Sequence, residues 1–161
     1  MYDVPDFISP LSGTGHAFAA GRLSYVLGLH GICEAIDVAC SAALVACYNA
    51  HRAVRMLEAP DALLAGVNMM FVPATIDAYA AHGLTSPSGK SFVFDARANG
   101  FTRGEGCGAG VLHTAAPEAS LLLSGSAVRQ DGRSAGSFGC SSSSQFLLLV
   151  SPFLARRHLY P

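Results

Sequence analysis

The chain has no tryptophan, and Asp, Glu, Lys and Arg together supply only 13% of its 161 residues. Ordinary soluble domains carry about a quarter charged residues. So little charge means little solvated surface: the chain is mostly interior, or lacks the parts that would cover it. The 51% apolar content excludes disorder over most of the length, because disordered chains are polar. Ten basic residues face eleven acidic ones, for a net charge of −1. No basic run stands out beyond the isolated pair Arg156 and Arg157, so a nucleic-acid partner has no electrostatic support. No apolar stretch approaches the roughly twenty residues of a membrane span; the densest is Phe146 to Val150. The start, Met1-Tyr2-Asp3-Val4, has neither the basic nor the apolar part of a signal peptide. The chain reads as intracellular and cytoplasmic, unless a targeting segment lies outside this sequence.

Also missing is any C-x-x-C pair, which argues against zinc. The five cysteines are Cys33, Cys40, Cys47, Cys107 and Cys140. An odd number without a secretory signal argues against a disulfide framework. The even spacing of Cys33, Cys40 and Cys47 crosses a strand and then a helix, so the three thiols need not converge. No metal is expected there.

What is present alternates helical and extended patterns. Met1 to Gly15 reads as irregular. His16 to Leu27 has helical apolar spacing and is broken by Gly28 to Gly31. Cys33 to Ala39 reads as a short strand with small residues on one face. Ser41 to Glu58 is the clearest helix. Its first half, Ala42 to Tyr48, is apolar all round, and its second half turns Asn49, Arg52 and Arg55 outward. A helix apolar all round is a buried one, so this helix is expected to start inside the protein and emerge toward its end. Ala62 to Gly66 reads as a strand, Pro73 to His82 as a helix, Leu84 to Lys90 as a turn and Phe92 to Phe94 as a strand. Ala96 to Gly106 is a glycine-rich loop, and Gly108 to His113 and Leu121 to Val128 are strands. Such alternation points to an α/β fold. The tail Gln145 to Pro161 fits neither period.

Cys40 lies between the expected strand and the buried helix. A helix start has free N–H groups and a partial positive charge. A thiolate there is stabilised and nucleophilic near neutral pH. Its own N–H points toward an oxyanion forming on an attacked carbonyl. The competing reading is a small core cysteine, since free cysteines are among the most buried residues. The other four cysteines fit that description. His16, His30, His51, His82, His113 and His158 have no motif context and read as surface or packing residues. The loop ANGFTRGEG follows no phosphate-binding order of glycines. Arg103 and Glu105 within it are expected to make local ion pairs or to cap backbone groups.

Five segments together resemble the β-ketoacyl synthase (ketosynthase) family. Asp37 to Ala46, DVACSAALVA, is similar to that family's D-T-A-C-S-S-S-L-V-A. Ala19 to Gly31, AAGRLSYVLGLHG, resembles its A-A-G-R-[IL]-S-[YF]-V-L-G-L-x-G. Ala65 to Met69, Phe94 to Gly106 (FDARANGFTRGEG) and Gly125 to Gly136 (GSAVRQDGRSAG) resemble three further family motifs, in order. Five ordered motifs outweigh the core reading of Cys40. The resemblance implies a partial thiolase-like α/β/α layered fold: residues 1–13 as a lead-in, 14–136 as a partial ketosynthase domain and 137–161 as a divergent tail.

It also implies the chemistry. Cys40 takes an acyl group as a thioester, and a malonyl-type unit is decarboxylated and condensed with it in polyketide or fatty-acid synthesis. No cofactor or metal is bound by the chain. The substrates arrive on the phosphopantetheine arm of an acyl carrier protein or carrier domain. The intact domain is a homodimer, with the strand before the cysteine near the interface. Departures matter as well. Val38 replaces a Thr, and Ala42 and Ala43 replace Ser residues. The family's E-A-H-G-T-G-T and N-I-G-H histidine motifs, and its G-T-N-A-H segment, do not occur in this sequence. The match breaks at Ser137, as expected of a truncated gene model, a frameshift or a retained intron in a longer domain. The chain alone is therefore expected to be inactive in condensation. Two other readings stay open: another thiolase-fold enzyme, or a non-catalytic remnant.

Overall fold

The computed structural model describes residues 15–114, 121–129 and 145–152. The lead-in up to residue 14, Cys140, and the tail beyond residue 152 lie outside the described residues. The chain forms two compact units, one of residues 1–64 and 111–161 and one of residues 65–110.

In the first unit, helix α1 runs Ala17–Leu27. Gly28 ends it in the left-handed conformation, φ 64, which costs glycine nothing because it has no Cβ. The N–H groups of Gly28 and Leu29 both return to the Ser24 carbonyl. Residues 29–38 then carry no regular structure. This corrects the strand expected at Cys33 to Ala39. A strand needs a neighbour to pair with, and the described sheets contain only Asp61–Asn68 with Gly106–His113 and Leu121–Arg129 with Gln145–Pro152. Side chains tie this segment down instead: Ser24 Oγ donates to Cys33 Sγ at 3.4 Å, and Asn49 Nδ2 to Glu34 Oε2 at 2.9 Å.

A single 3₁₀ turn, Ala39–Ser41, leads into helix α2, Ala42–Arg55. The turn at Cys40 and the helix agree with the sequence pattern, but the burial of the helix runs the other way. Its buried residues are Ala53 and Val54 near the carboxyl end, whereas Ala43 and Leu44 at its start are exposed. The reason is what packs where: the carboxyl half of α2 lies on strand β3, Leu121–Arg129. The helix closes with a Schellman pair, Glu58 N–H to Ala53 O at 2.9 Å and Leu57 N–H to Val54 O at 3.2 Å. Leu57 takes the left-handed position at φ 59, where glycine is the usual occupant.

Strand β1, Asp61–Asn68, pairs with β2, Gly106–His113. Both are longer than the alternation alone suggested. Asp61 meets His113 at one end and Asn68 meets the Gly104 carbonyl at the other, so the strands run in opposite directions. Strand β3, Leu121–Arg129, pairs antiparallel with β4, Gln145–Pro152, with an irregularity between Leu123 and Gly125. β4 falls in the tail for which no period was legible.

The second unit holds helix α3, Pro73–Ala81. Pro73 suits the first turn, where its missing N–H costs no hydrogen bond. The following loop is held by a parallel bridge, Thr85 to Phe101, and by buried Ser86, whose Oγ donates to Asn99 Oδ1 at 2.7 Å. Gly100, at φ 132, lets the two backbones touch: a Cβ there would stand 2.5 Å from Ser86 N. The strand expected at Phe92 to Phe94 does not form. Val93 and Phe94 lie in a turn, with Phe94 at φ 56, a state incompatible with a strand.

Candidate active site

Cys40 sits at the middle of the 3₁₀ turn, and its side chain is exposed. The turn is built from unusual backbone states. Val38 has φ −130 and ψ 46, Ala39 has φ 54, and Ser41 has φ −95 and ψ 0. For a residue with a Cβ, the left-handed state costs about 1–2 kcal/mol. Strain of this kind concentrates at functional sites. The Asp37 Oδ1 atom accepts a hydrogen bond from the Ala39 N–H at 3.4 Å, and the Ser41 hydroxyl donates to the Val38 carbonyl at 3.1 Å. The carboxylate of Asp37 also faces His16, with Oδ2 3.7 Å from Nδ1. The sequence pattern placed Cys40 at the helix start; the structure puts it on the turn that feeds α2.

Among the other described thiols, Cys47 differs from it in exposure. Cys47 lies within α2, half-buried, and burial pushes its thiol pKa up. That disfavours the thiolate, the nucleophilic form. Cys33 and Cys107 are exposed like Cys40, which corrects their reading as core cysteines: Cys33 lies in the segment unpaired in the described sheets and Cys107 on the two-stranded sheet of β1 and β2. Among the described residues no three His, Cys, Asp or Glu side chains gather as a metal site, so Cys33, Cys40 and Cys47 do not converge on one.

His51 departs from the sequence expectation of a residue on an outward-facing half of the helix. It is half-buried, with Nδ1 2.6 Å from Ser126 Oγ on β3. Burial, and then the charge of Arg55, lower its pKa from 6.5. A tertiary contact across 75 positions of sequence leaves no local signal by which to find it. Glu105 behaves as expected of a backbone cap, its Oε1 accepting from the Met70 N–H at 2.6 Å. Arg103 makes no described ion pair; its guanidinium lies 4.3 Å over the Tyr79 ring, a cation–π contact.

Two surface hollows stand out. One, of about 340 Å³, lies along α1 against Phe18, Tyr25 and Val26. The other, of about 290 Å³, lies beside His51 and Ser126. Neither is lined by Cys40. The chain thus presents an exposed thiol on a strained turn.

A family model described as β-ketoacyl synthase, N-terminal domain, matches residues 2–117. The chain is 44% identical over 140 residues to a phenolphthiocerol/phthiocerol polyketide synthase of Mycobacterium tuberculosis, covering 82% of this chain and 9% of that protein. It superposes on the ketosynthase from module 6 of the bacillaene synthase of Bacillus subtilis 168 with a TM-score of 0.74 at 34% identity. That alignment covers 84% of this chain and 26% of the other. An oxazolomycin ketosynthase domain of Streptomyces albus JA3453 gives a TM-score of 0.71 at 30% identity, over 84% of this chain and 27% of that one. The mixed helices and strands are therefore part of a thiolase-like α/β fold, and the chain spans about a quarter of the solved domains it matches.

Proposed function

The chain belongs to the β-ketoacyl synthase family through its amino-terminal domain, and on that premise we propose that it carries the acyl-accepting part of a ketosynthase, with Cys40 as the nucleophile. The observation that carries this reading is the exposed Cys40 thiol on a strained turn at the start of α2, inside the matched segment. The thiolate attacks the carbonyl carbon of an acyl thioester. A C–S bond forms, and the carbonyl oxygen becomes an oxyanion, met by the Cys40 N–H and the amino end of α2. The donor C–S bond then breaks. The departing thiol takes up the proton that Cys40 gave up, and the acyl group rests on Cys40.

The relatives' names supply the wider context. This chain covers only a small share of the polyketide synthase it matches, and the donor thiol of this reading is the phosphopantetheine arm of a carrier protein or carrier domain. In the intact domain a malonyl-type thioester loses carbon dioxide, and the resulting carbanion attacks the Cys40 thioester. Cys40 leaves as a thiol, and a β-ketoacyl thioester remains on the carrier. Condensation of the 3-oxoacyl-synthase type needs groups that stabilise the developing enolate. The family's histidine motifs for this are not in the sequence, so this chain by itself performs acylation and not condensation. Segment 33–38, unpaired in the described sheets, is the surface by which the intact domain would dimerise. The setting for such carrier-linked chemistry is cytoplasmic.

The test is acyl loading followed by intact-mass and peptide mapping of residues 1–161. Cys40→Ala abolishes the mass gain from an acyl thioester, and Cys47→Ala retains it. Equal loading of the Cys40→Ala protein would falsify the assignment.

A further inference from the structure

Cys40 follows a residue held in a backbone state that alanine disfavours, and restraints reach that residue from both sides. Ala39 has φ 54, between Val38 at φ −130, ψ 46 and a Ser41 at φ −95, ψ 0. Such states persist only where the surroundings over-determine them. From the amino side, the Asp37 carboxylate accepts the Ala39 N–H at 3.4 Å, the pattern of an Asx turn. From the carboxyl side, Ser41 Oγ donates to the Val38 carbonyl at 3.1 Å. Ser41 is 7% exposed, so its hydroxyl has little access to water as a substitute partner.

The direction of that hydroxyl is informative. Ser41 occupies the N-cap position of α2, where a serine oxygen ordinarily accepts an N–H from the first helical turn. It makes no such bond. It reaches backward across Cys40 and closes the turn instead.

We propose that Ser41 is a positioning residue for Cys40. Its bond to Val38, with Asp37 on the other side, locks the left-handed Ala39 turn and so sets the direction in which the Cys40 thiolate and N–H meet a thioester carbonyl. The proposal rests on the reading of Cys40 as acyl acceptor. The nucleophile and the oxyanion donor belong to one residue, and rotation about the Ala39 backbone re-aims both against α2. Ser41 itself touches no reacting atom and exchanges no proton. Without its bond, Ala39 relaxes toward the right-handed or extended regions that alanine prefers.

The experiment uses residues 1–161 and three readouts: acylation of Cys40 by acetyl-N-acetylcysteamine over a range of pH, its alkylation by iodoacetamide, and hydrogen exchange of residues 39–42 by mass spectrometry. Ser41→Ala slows acylation about tenfold, the rate equivalent of roughly one lost hydrogen bond. The pH midpoint of the reaction does not move, alkylation stays within about twofold of wild type, since that small electrophile needs no oxyanion contact, and exchange of residues 39–42 quickens. Ser41→Thr restores acylation. In an Ala39→Gly background the same Ser41→Ala change loses less, because glycine holds a positive φ unaided. Wild-type acylation by Ser41→Ala overturns the proposal, as does a loss explained wholly by a shifted pH midpoint or shared equally by alkylation. Unchanged exchange at residues 39–42 in Ser41→Ala overturns it whatever the acylation rate. A wild-type chain that takes no acyl group while Ser41→Ala still quickens that exchange sinks the acyl-acceptor reading and leaves the clamp standing.

Discussion

Cys40 and Cys47 are two turns apart on one continuous segment, and their surroundings separate them chemically. Burial inside α2 pushes the Cys47 thiol away from ionisation, whereas Cys40 is exposed on the turn before the helix. His51, on the same helix, shows a tertiary neighbour setting a proton affinity. Burial is the larger cause of its lowered pKa and the Arg55 charge the smaller. Both disfavour the imidazolium, so the folded chain binds that proton less readily than the unfolded chain, whose histidine titrates near 6.5. The His51 contribution to stability is therefore fully present above pH 6.5 and is lost as pH drops through that value toward the folded-state pKa. The expected outcome in an NMR titration is a His51 midpoint below 6.5, moved upward in Arg55→Ala. An unmoved midpoint would assign the whole shift to burial. In urea unfolding, His51→Gln flattens the loss of stability on acidification from pH 7 to pH 5.

The carboxyl end of α2 illustrates how an element can carry strain at a place unrelated to chemistry. The Schellman bonds of Leu57 and Glu58 satisfy carbonyls that the helix end leaves open. They require Leu57 to hold φ 59. The leucine side chain gains little in exchange, being 81% exposed. Leu57→Gly should raise the unfolding free energy by about 0.5–1 kcal/mol, the left-handed penalty less the entropy glycine loses on folding. Chemical denaturation reads this directly, and a destabilised variant would mean that Leu57 is covered in solution. The strained turn at Ala39 differs because it adjoins Cys40, the nucleophile proposed above, and Ala39→Gly there is expected to act on acylation as well as on stability.

At the scale of the whole molecule, large apolar side chains among the described residues are mostly exposed. Among the described residues the buried apolar set is Ala53 and Val54, while Tyr25, Val26, Phe71 and Phe94 stand exposed. Burying one large aliphatic side chain contributes about 1.5–3 kcal/mol, and domains are stable by only about 5–15 kcal/mol. Several uncovered residues thus amount to the whole margin. Residues 1–161 expressed alone should self-associate with rising concentration in sedimentation velocity, and should form no β-ketoacyl product from acyl-primed and malonyl-loaded carrier protein. A monodisperse monomer that condenses these substrates would overturn both expectations. The chain spans about a quarter of each solved ketosynthase it matches.

The amino-acid sequence by itself determined the local features. Helical spacing and Gly28 set α1, the apolar segment after Cys40 set α2, Pro73 marked the start of α3, and the five ordered motifs pointed to the family that residues 2–117 match. These depend on a residue and its near neighbours, so they survive without knowledge of the rest. Only the tertiary structure decided what depends on partners distant in sequence. Cys33 to Ala39 has a strand composition but no described neighbour to pair with, and Gln145 to Pro152 has no legible period but finds β3. The apolar start of α2 implied burial, yet burial is a property of what packs against a helix, and β3 packs against its other end. The backward hydrogen bond of Ser41 and the contact of His51 with Ser126 were invisible for a related reason. A side chain's hydrogen-bond partner is settled by geometry in three dimensions, and residue type states only that it will seek one.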